Sequence, residues 1–229
     1  MQLPILDNVI YIQQTQRAVL VGRTGSGKSL LAQALLETYD NVLVIDPQAF
    51  FELRNAVYVS SLKGLERALN AQSDESVTAQ KRGVPIVYRP DPELWNLAAY
   101  NMVFRMVYER TSMTVYIDEV YAVMNGTAFP MWYNAILTRG RARRIRTISA
   151  TQRPTRIPLT VLSEADHYCC FRLQMPEDRE RMASLMGPEV LNSPSREHSF
   201  WYYEVGDVKP REYELEVKSN VGRTLSVGS

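Results

Sequence analysis

The run Gly22-Arg23-Thr24-Gly25-Ser26-Gly27-Lys28-Ser29 fits the phosphate-loop pattern G-x-x-x-x-G-K-[ST] with no mismatch. Glycines let the backbone turn tightly and come close to a phosphate. Successive N–H groups then form an anion nest at a helix N-terminus, where the helix dipole also favours negative charge. In that arrangement Lys28 reaches the β- and γ-phosphates and the Ser29 hydroxyl ligates Mg²⁺. A second constellation is Asp118-Glu119, which directly follows the apolar run Thr114-Val115-Tyr116-Ile117. An Asp in that place, downstream of a phosphate loop, holds Mg²⁺. The next residue, Glu119, is placed to polarise an attacking water. The chain lacks the N-K-x-D base-reading motif of GTPases, so the pair favours hydrolysis of ATP by water. Gln152 follows a further apolar run, Thr147 to Ala150, and its amide is placed to touch the γ-phosphate.

Arginine is unevenly distributed. Arg139, Arg141, Arg143, Arg144, Arg146, Arg153 and Arg156 crowd one stretch, although the net charge of the whole chain is only +1. In phosphate-loop hydrolases an arginine often stabilises the transition-state charge, and a neighbouring subunit can supply it. Arg139 and Arg141 suit that task in a ring. Arg143, Arg144 and Arg146 suit contact with the phosphate backbone of a nucleic acid. Salt bridges or a solvated helix end would use the same residues.

These residues must be positioned by an α/β fold. Ala18-Val19-Leu20-Val21 reads as a buried strand before the phosphate loop, and Leu30 to Leu36 as an amphipathic helix behind it. Val42 to Ile45, ending in Asp46-Pro47, is another strand. Val84 to Tyr88 is a strand expected at a sheet edge because of Pro85. A helix is expected from Asp91-Pro92-Glu93 to about Arg110, with Asp91 as its N-cap. A helix from Pro130 to Leu137, a strand from Tyr168 to Leu173 and a helix from Pro176 to Met186 closed by Gly187 follow. Phe200 to Tyr203 and Glu212 to Leu215 read as a C-terminal β-hairpin. The expected architecture is a single RecA-like phosphate-loop domain over residues 1–218. It has a mainly parallel central sheet with helices on both faces. Residues 71–83 read as a mobile loop, and 219–229 as a disordered tail.

With 229 residues and 45% hydrophobic content, one such domain can bury an ample core. The two cysteines, Cys169 and Cys170, are adjacent in an apolar strand, so their side chains point to opposite faces and read as small buried hydrophobes. No apolar stretch approaches the length of a membrane span, and no signal-peptide pattern is evident. A place in the cytosol, or on an assembly made in the cytosol, is expected.

The phosphate loop, Ile117-Asp118-Glu119, the run Arg139-Gly140-Arg141-Ala142-Arg143-Arg144 and Ala150-Thr151-Gln152-Arg153-Pro154 together resemble the FtsK–HerA superfamily of DNA-pumping ATPases. The likeness spans about residues 17–175. At this length the chain is most similar to the genome-packaging ATPases of tailless, internal-membrane double-stranded DNA viruses. The resemblance implies ATP and Mg²⁺ as cofactors. It implies Gly22 to Ser29 on the phosphates, Ser29 and Asp118 on Mg²⁺, Glu119 as the catalytic carboxylate and Gln152 as γ-phosphate sensor. It also implies a homo-oligomeric ring, most often a hexamer, around double-stranded DNA, with a capsid portal or vertex as a further partner. Arg139, Arg141 and Arg153 compete for the role of arginine finger, and residues 124–129 or 72–83 for that of a channel loop. Rival readings are a secretion or conjugation motor, a nucleotide-dependent switch and a small-molecule kinase.

Overall fold

The computed structural model describes residues 10–72 and 83–215. Nine strands form one sheet in the order β3-β4-β2-β5-β6-β1-β7-β8-β9. They are β1 (Arg17–Val21), β2 (Val42–Ile45), β3 (Val57–Val59), β4 (Ile86–Tyr88), β5 (Thr114–Ile117), β6 (Arg146–Thr151), β7 (His167–Cys170), β8 (Ser199–Glu204) and β9 (Arg211–Glu214). Neighbouring strands from β1 to β7 pair in parallel, and β8 and β9 add an antiparallel ribbon at one side. Parallel strands covered on both faces need continuous apolar runs, and β1, β2, β5 and β7 are buried at every position.

Side-chain alternation splits the core in two. Leu43 and Ile45 of β2 face one cluster and Val42 and Val44 the other. The first cluster is covered by α2 (Leu62–Gln72), α3 (Leu97–Tyr108), α4 (Met131–Arg139), α5 (Leu159–Ser163) and α6 (Pro176–Met186). The second is covered by α1 (Lys28–Leu36), the segment before β1 and the loop bearing Phe51 and Leu53. Helices do occupy both faces, but among the described residues one face carries a single helix. Its buried residues Leu31, Leu35 and Leu36 are worth about 1.5–3 kcal/mol each, and Leu35→Ala would loosen the element that carries the phosphate loop.

Three expectations change. The Val84–Tyr88 strand is not an edge: β4 lies between β2 and β3, and β3 is the edge. Pro85 is tolerated because it precedes the strand, where its carbonyl accepts from Val57 N and its missing N–H costs no ladder bond. The three-residue, largely exposed β3 is too short to show a period, and α2, whose Leu62, Leu65 and Leu69 stand at helical spacing, was not read in advance. Third, the helix expected from Asp91 begins only at Leu97. Pro92–Leu94 is one 3-10 turn, and the Asn96 side chain caps α3 by accepting from Ala99 N. The expected loop at 71–83 is replaced by α2 up to Gln72; its stretch 73–82, and the tail at 219–229, lie outside the described residues.

Candidate nucleotide site at the carboxyl edge of the sheet

The strand order decides which residues can meet. Phosphate-loop strand β1 and Asp118-Glu119 strand β5 are not neighbours; β6, which leads into Gln152, lies between them. All three run the same way, so their carboxyl ends bring Gly22 to Ser29, Asp118, Glu119 and Gln152 to one edge. Ligands of doubly wound sheets bind at that edge.

The loop itself is shaped by what surrounds it. A side chain at Gly22 would place Cβ 2.6 Å from Phe171 Cβ, so the loop packs directly on the end of β7. Gly25 is left-handed, with φ 74°, and has nothing within 4 Å, which leaves room for a phosphate above it. Gly27, also left-handed, starts α1. Lys28 is buried and folds back over the loop: its Nζ donates to Gly22 O at 2.6 Å and Arg23 O at 3.1 Å. Burial lowers its pKa, and Glu119 and Asp118 pull it back up. These carbonyl bonds hold the ammonium in place, ready to exchange onto an anion.

Asp118 and Glu119 are held differently. Asp118 accepts the Tyr116 hydroxyl at 2.6 Å on Oδ1. Glu119 is anchored across β6: Oε1 accepts from Thr151 Oγ1 at 2.8 Å and Tyr121 N at 3.3 Å, and Oε2 accepts from Gln152 N at 3.0 Å. Burial raises the pKa of both carboxyls, and for Glu119 the bonds from Thr151, Gln152 and Tyr121 work against that rise. Gln152 closes the circuit, since its Oε1 accepts from Thr24 Oγ1 of the phosphate loop at 2.8 Å. A hydrogen-bonded chain thus runs from Thr24 through Gln152 to Glu119. A carboxylate and a serine hydroxyl at a helix start are hard oxygen donors that fit Mg²⁺, and the buried lysine ammonium fits the phosphate oxygens of a magnesium-bound polyphosphate.

Next to Asp118, at the end of β2, sits the fully buried Asp46. Its charge is satisfied by Phe50 N at 3.2 Å, Phe51 N at 3.0 Å and Arg89 Nε at 2.9 Å. Arg89 ends β4, so this pair forms only because β4 adjoins β2. Sequence reasoning noted Asp46 as a strand end but missed Arg89, because that adjacency is invisible in the chain order. Thr151 and Tyr116 were also missed, although strand alternation puts Tyr116 on the face of Asp118.

The arginines lie elsewhere. Arg139 ends α4, and Arg141, Arg143 and Arg144 follow it before β6 begins. That places them at the amino edge of the sheet, about 16 Å below the nucleotide edge along β6. None reaches the site of its own subunit. Arg139 and Arg144 are exposed; Arg141 pairs with Asp166 at 2.7 Å, and Arg143 lies over the Tyr108 ring at 4.4 Å. Arg146 must be withdrawn from the phosphate-contact surface: it is 2% exposed, bonds to Thr114 Oγ1 and Gln13 O, and stacks on Tyr39. Its place as first residue of a central strand explains the burial. Arg153 is at the nucleotide edge but is occupied, with Nε 2.6 Å from the buried Asp178 and Nη2 3.1 Å from Glu177. The 124–129 loop follows Glu119 at the nucleotide edge and is pinched by an Asn125–Ala128 bridge.

No protein-family model matches the chain. The chain is 26% identical over 203 residues to the DNA packaging ATPase P9 of Enterobacteria phage PRD1, covering 83% of each protein. Among solved structures it is similar to the genome packaging NTPase B204 of Sulfolobus turreted icosahedral virus 2 in complex with ATP-gammaS, at TM-score 0.66 and 16% identity over 87% of this chain and 96% of that one. The chain shares the fold of viral genome-packaging NTPases. VirB4 of Thermoanaerobacter pseudethanolicus has a similar fold too, at TM-score 0.59 and 11% identity over 88% and 89% of the two chains. The resemblance read from the motifs therefore points to the same relatives as the whole chain does. Among the described residues no helix is long and apolar enough to cross a membrane.

Proposed function

We propose that this protein is an ATP-driven double-stranded DNA translocase that packages a viral genome into a preformed capsid. The observation that carries the reading is the hydrogen-bonded chain from Thr24 through Gln152 to Glu119, spanning the phosphate loop after β1, the end of β6 and the end of β5. The similarity to a phage DNA packaging ATPase along 83% of both chains supports the job assigned to it. In this reading Gly22 to Gly27 cradle the phosphates with backbone N–H groups, and Lys28 leaves its loop carbonyls for the β- and γ-oxygens. Ser29 and Asp118 would hold Mg²⁺, which would supply neutralising charge to the transferred phosphoryl group. Glu119 orients the attacking water and takes up its proton. Gln152, bonded to the loop on one side and to Glu119 through its backbone on the other, reports whether a γ-phosphate is present.

The charge that develops on the phosphoryl group needs an arginine, and of the three finger candidates Arg153 is occupied by Asp178 and Glu177 while Arg139 and Arg141 lie at the opposite edge. We therefore assign Arg139 or Arg141 of a neighbouring subunit to the site, with the subunits arranged as a ring and DNA in its channel. Arg143 and Arg144 would face the DNA backbone. The protein would work at a capsid vertex, in the host cytoplasm or on the virion, and residues 1–218 would form its motor.

The test is steady-state ATP hydrolysis with and without long double-stranded DNA across protein concentration. Turnover that rises cooperatively with protein and is stimulated by DNA is expected. Turnover indifferent to both would replace the translocase with a self-contained ATPase or a switch.

A further inference from the structure

We propose that Tyr116 is a positioning residue for the metal-side carboxylate of Asp118. The inference rests on the nucleotide site proposed above. Tyr116 and Asp118 are two residues apart at the end of β5, so their side chains project from the same face of the sheet. Tyr116 is fully buried and, unlike the buried hydroxyls of Tyr88 and Tyr100, its phenol has a side-chain hydrogen-bond partner. Its partner is Asp118 Oδ1, at 2.6 Å, in the range of a charge-assisted O–H···O⁻ bond.

The phenol is not free to swing away. Its ring packs against Phe51 with centroids 4.7 Å apart. Phe51 is fixed in turn, because its N–H and that of Phe50 both donate to Asp46, and Arg89 Nε holds the same carboxylate. The left-handed Ala49, with φ 59°, turns the chain so that both N–H groups reach Asp46. Arg89 is itself braced by Glu52 and by Phe51 O. The support thus runs from the end of β4 through β2 to β5. The phenol fixes one oxygen of Asp118, Ser29 hydrogen-bonds to the same pair, and the carboxylate so held would face a magnesium ion bound with Ser29. Partners of this kind, one step behind a ligand, fix its orientation and change metal affinity about tenfold or more when removed.

The experiment compares the full chain with Tyr116→Phe, which keeps the ring on Phe51 and removes only the hydroxyl. Mn²⁺ binding is titrated by electron paramagnetic resonance in the presence of a saturating non-hydrolysable ATP analogue, and binding of the analogue without metal is measured by calorimetry. The expected result is a Mn²⁺ half-saturation about tenfold higher in the variant, with metal-free analogue affinity unchanged. Equal half-saturation in the two proteins would overturn the proposal. So would equal losses of metal and metal-free analogue binding, which mark a general structural defect. If Tyr116→Phe does not fold, Phe51→Leu loosens the same ring while keeping the hydroxyl, and the same selective loss of Mn²⁺ affinity is expected. A wild-type chain that bound no nucleotide at all would overturn the nucleotide site as well, which separates the two failures.

Discussion

The two edges of the central sheet carry polar groups in opposite ways. At the carboxyl edge the groups of the proposed site are held within the subunit: Lys28 by its own loop, Glu119 by β6, Asp118 by Tyr116, Asp46 by Arg89, and Arg153 by Asp178 and Glu177, while Arg23 and Arg172 stand exposed beside them. At the amino edge Arg139 and Arg144 are exposed and make no side-chain pair among the described residues, and Arg141 holds only a half-exposed pair with Asp166. A pre-organised site needs groups fixed before the substrate arrives, because fixing them later costs rate. Groups that act on another molecule must remain exposed. On the proposed reading, the difference teaches that the carboxyl edge holds its own groups ready for chemistry, and that the amino edge presents groups to something outside the subunit.

The largest effect should come from the carboxyl edge. Glu119→Gln is expected to cut ATP turnover about 10⁴-fold while leaving nucleotide affinity within a few-fold, measured by steady-state hydrolysis and calorimetry. Retained turnover would remove Glu119 from the chemistry. Removing both Arg139 and Arg141 as alanines should cost about 10³-fold, and only under conditions in which subunits assemble. Equal loss in the monomer would mean a structural role, and the contrast between the edges would fail.

Arg144 and Arg146 sharpen the contrast because they are two residues apart. Arg146→Ala should lower stability by about 2 kcal/mol, through loss of its bond to Thr114 and its stack on Tyr39, and leave the DNA salt slope unchanged. Arg144→Ala should leave the melting temperature nearly unchanged and reduce the slope of log affinity against log salt by about one. Reversal of the two results would invert the assignment of buried and outward-facing arginines. The smallest effect belongs to the middle of the sheet. Burial pushes the thiols of Cys169 and Cys170 far above the usual thiol range, so the thiolate is scarce at pH 8. A thiol reagent at pH 8 should leave both unmodified in the native protein and label both in denaturant. Fast native labelling would contradict the packing of β7.

The carboxyl edge was legible in the sequence because its residues are local to their strands. A phosphate loop after an apolar run, Asp-Glu after another and Gln152 after a third all declare themselves by what precedes them. The parts that escaped depend on which strand lies beside which. Arg89 meets Asp46 only because β4 adjoins β2, and Thr151 meets Glu119 only because β6 lies beside β5. Arg146 misled for a related reason: an arginine in a basic run looks solvated until its strand proves central. Asp91 and Pro92 signalled a helix start correctly in type, but the signal served a single 3-10 turn, and the stronger cap at Asn96 starts the long helix. The sequence sign for a nucleotide site was thus strong, and the sign for where its arginine comes from was weak.

The most direct test mixes two inactive proteins. Lys28→Ala lacks the phosphate-loop lysine but keeps its outward arginines; the Arg139→Ala/Arg141→Ala protein keeps the loop and lacks the arginines. If the amino edge of one subunit completes the carboxyl edge of the next, mixed assemblies regain turnover, roughly a quarter of wild type at equal amounts if interfaces work independently. Turnover of the mixture no higher than the sum of the two separate proteins would contradict the account.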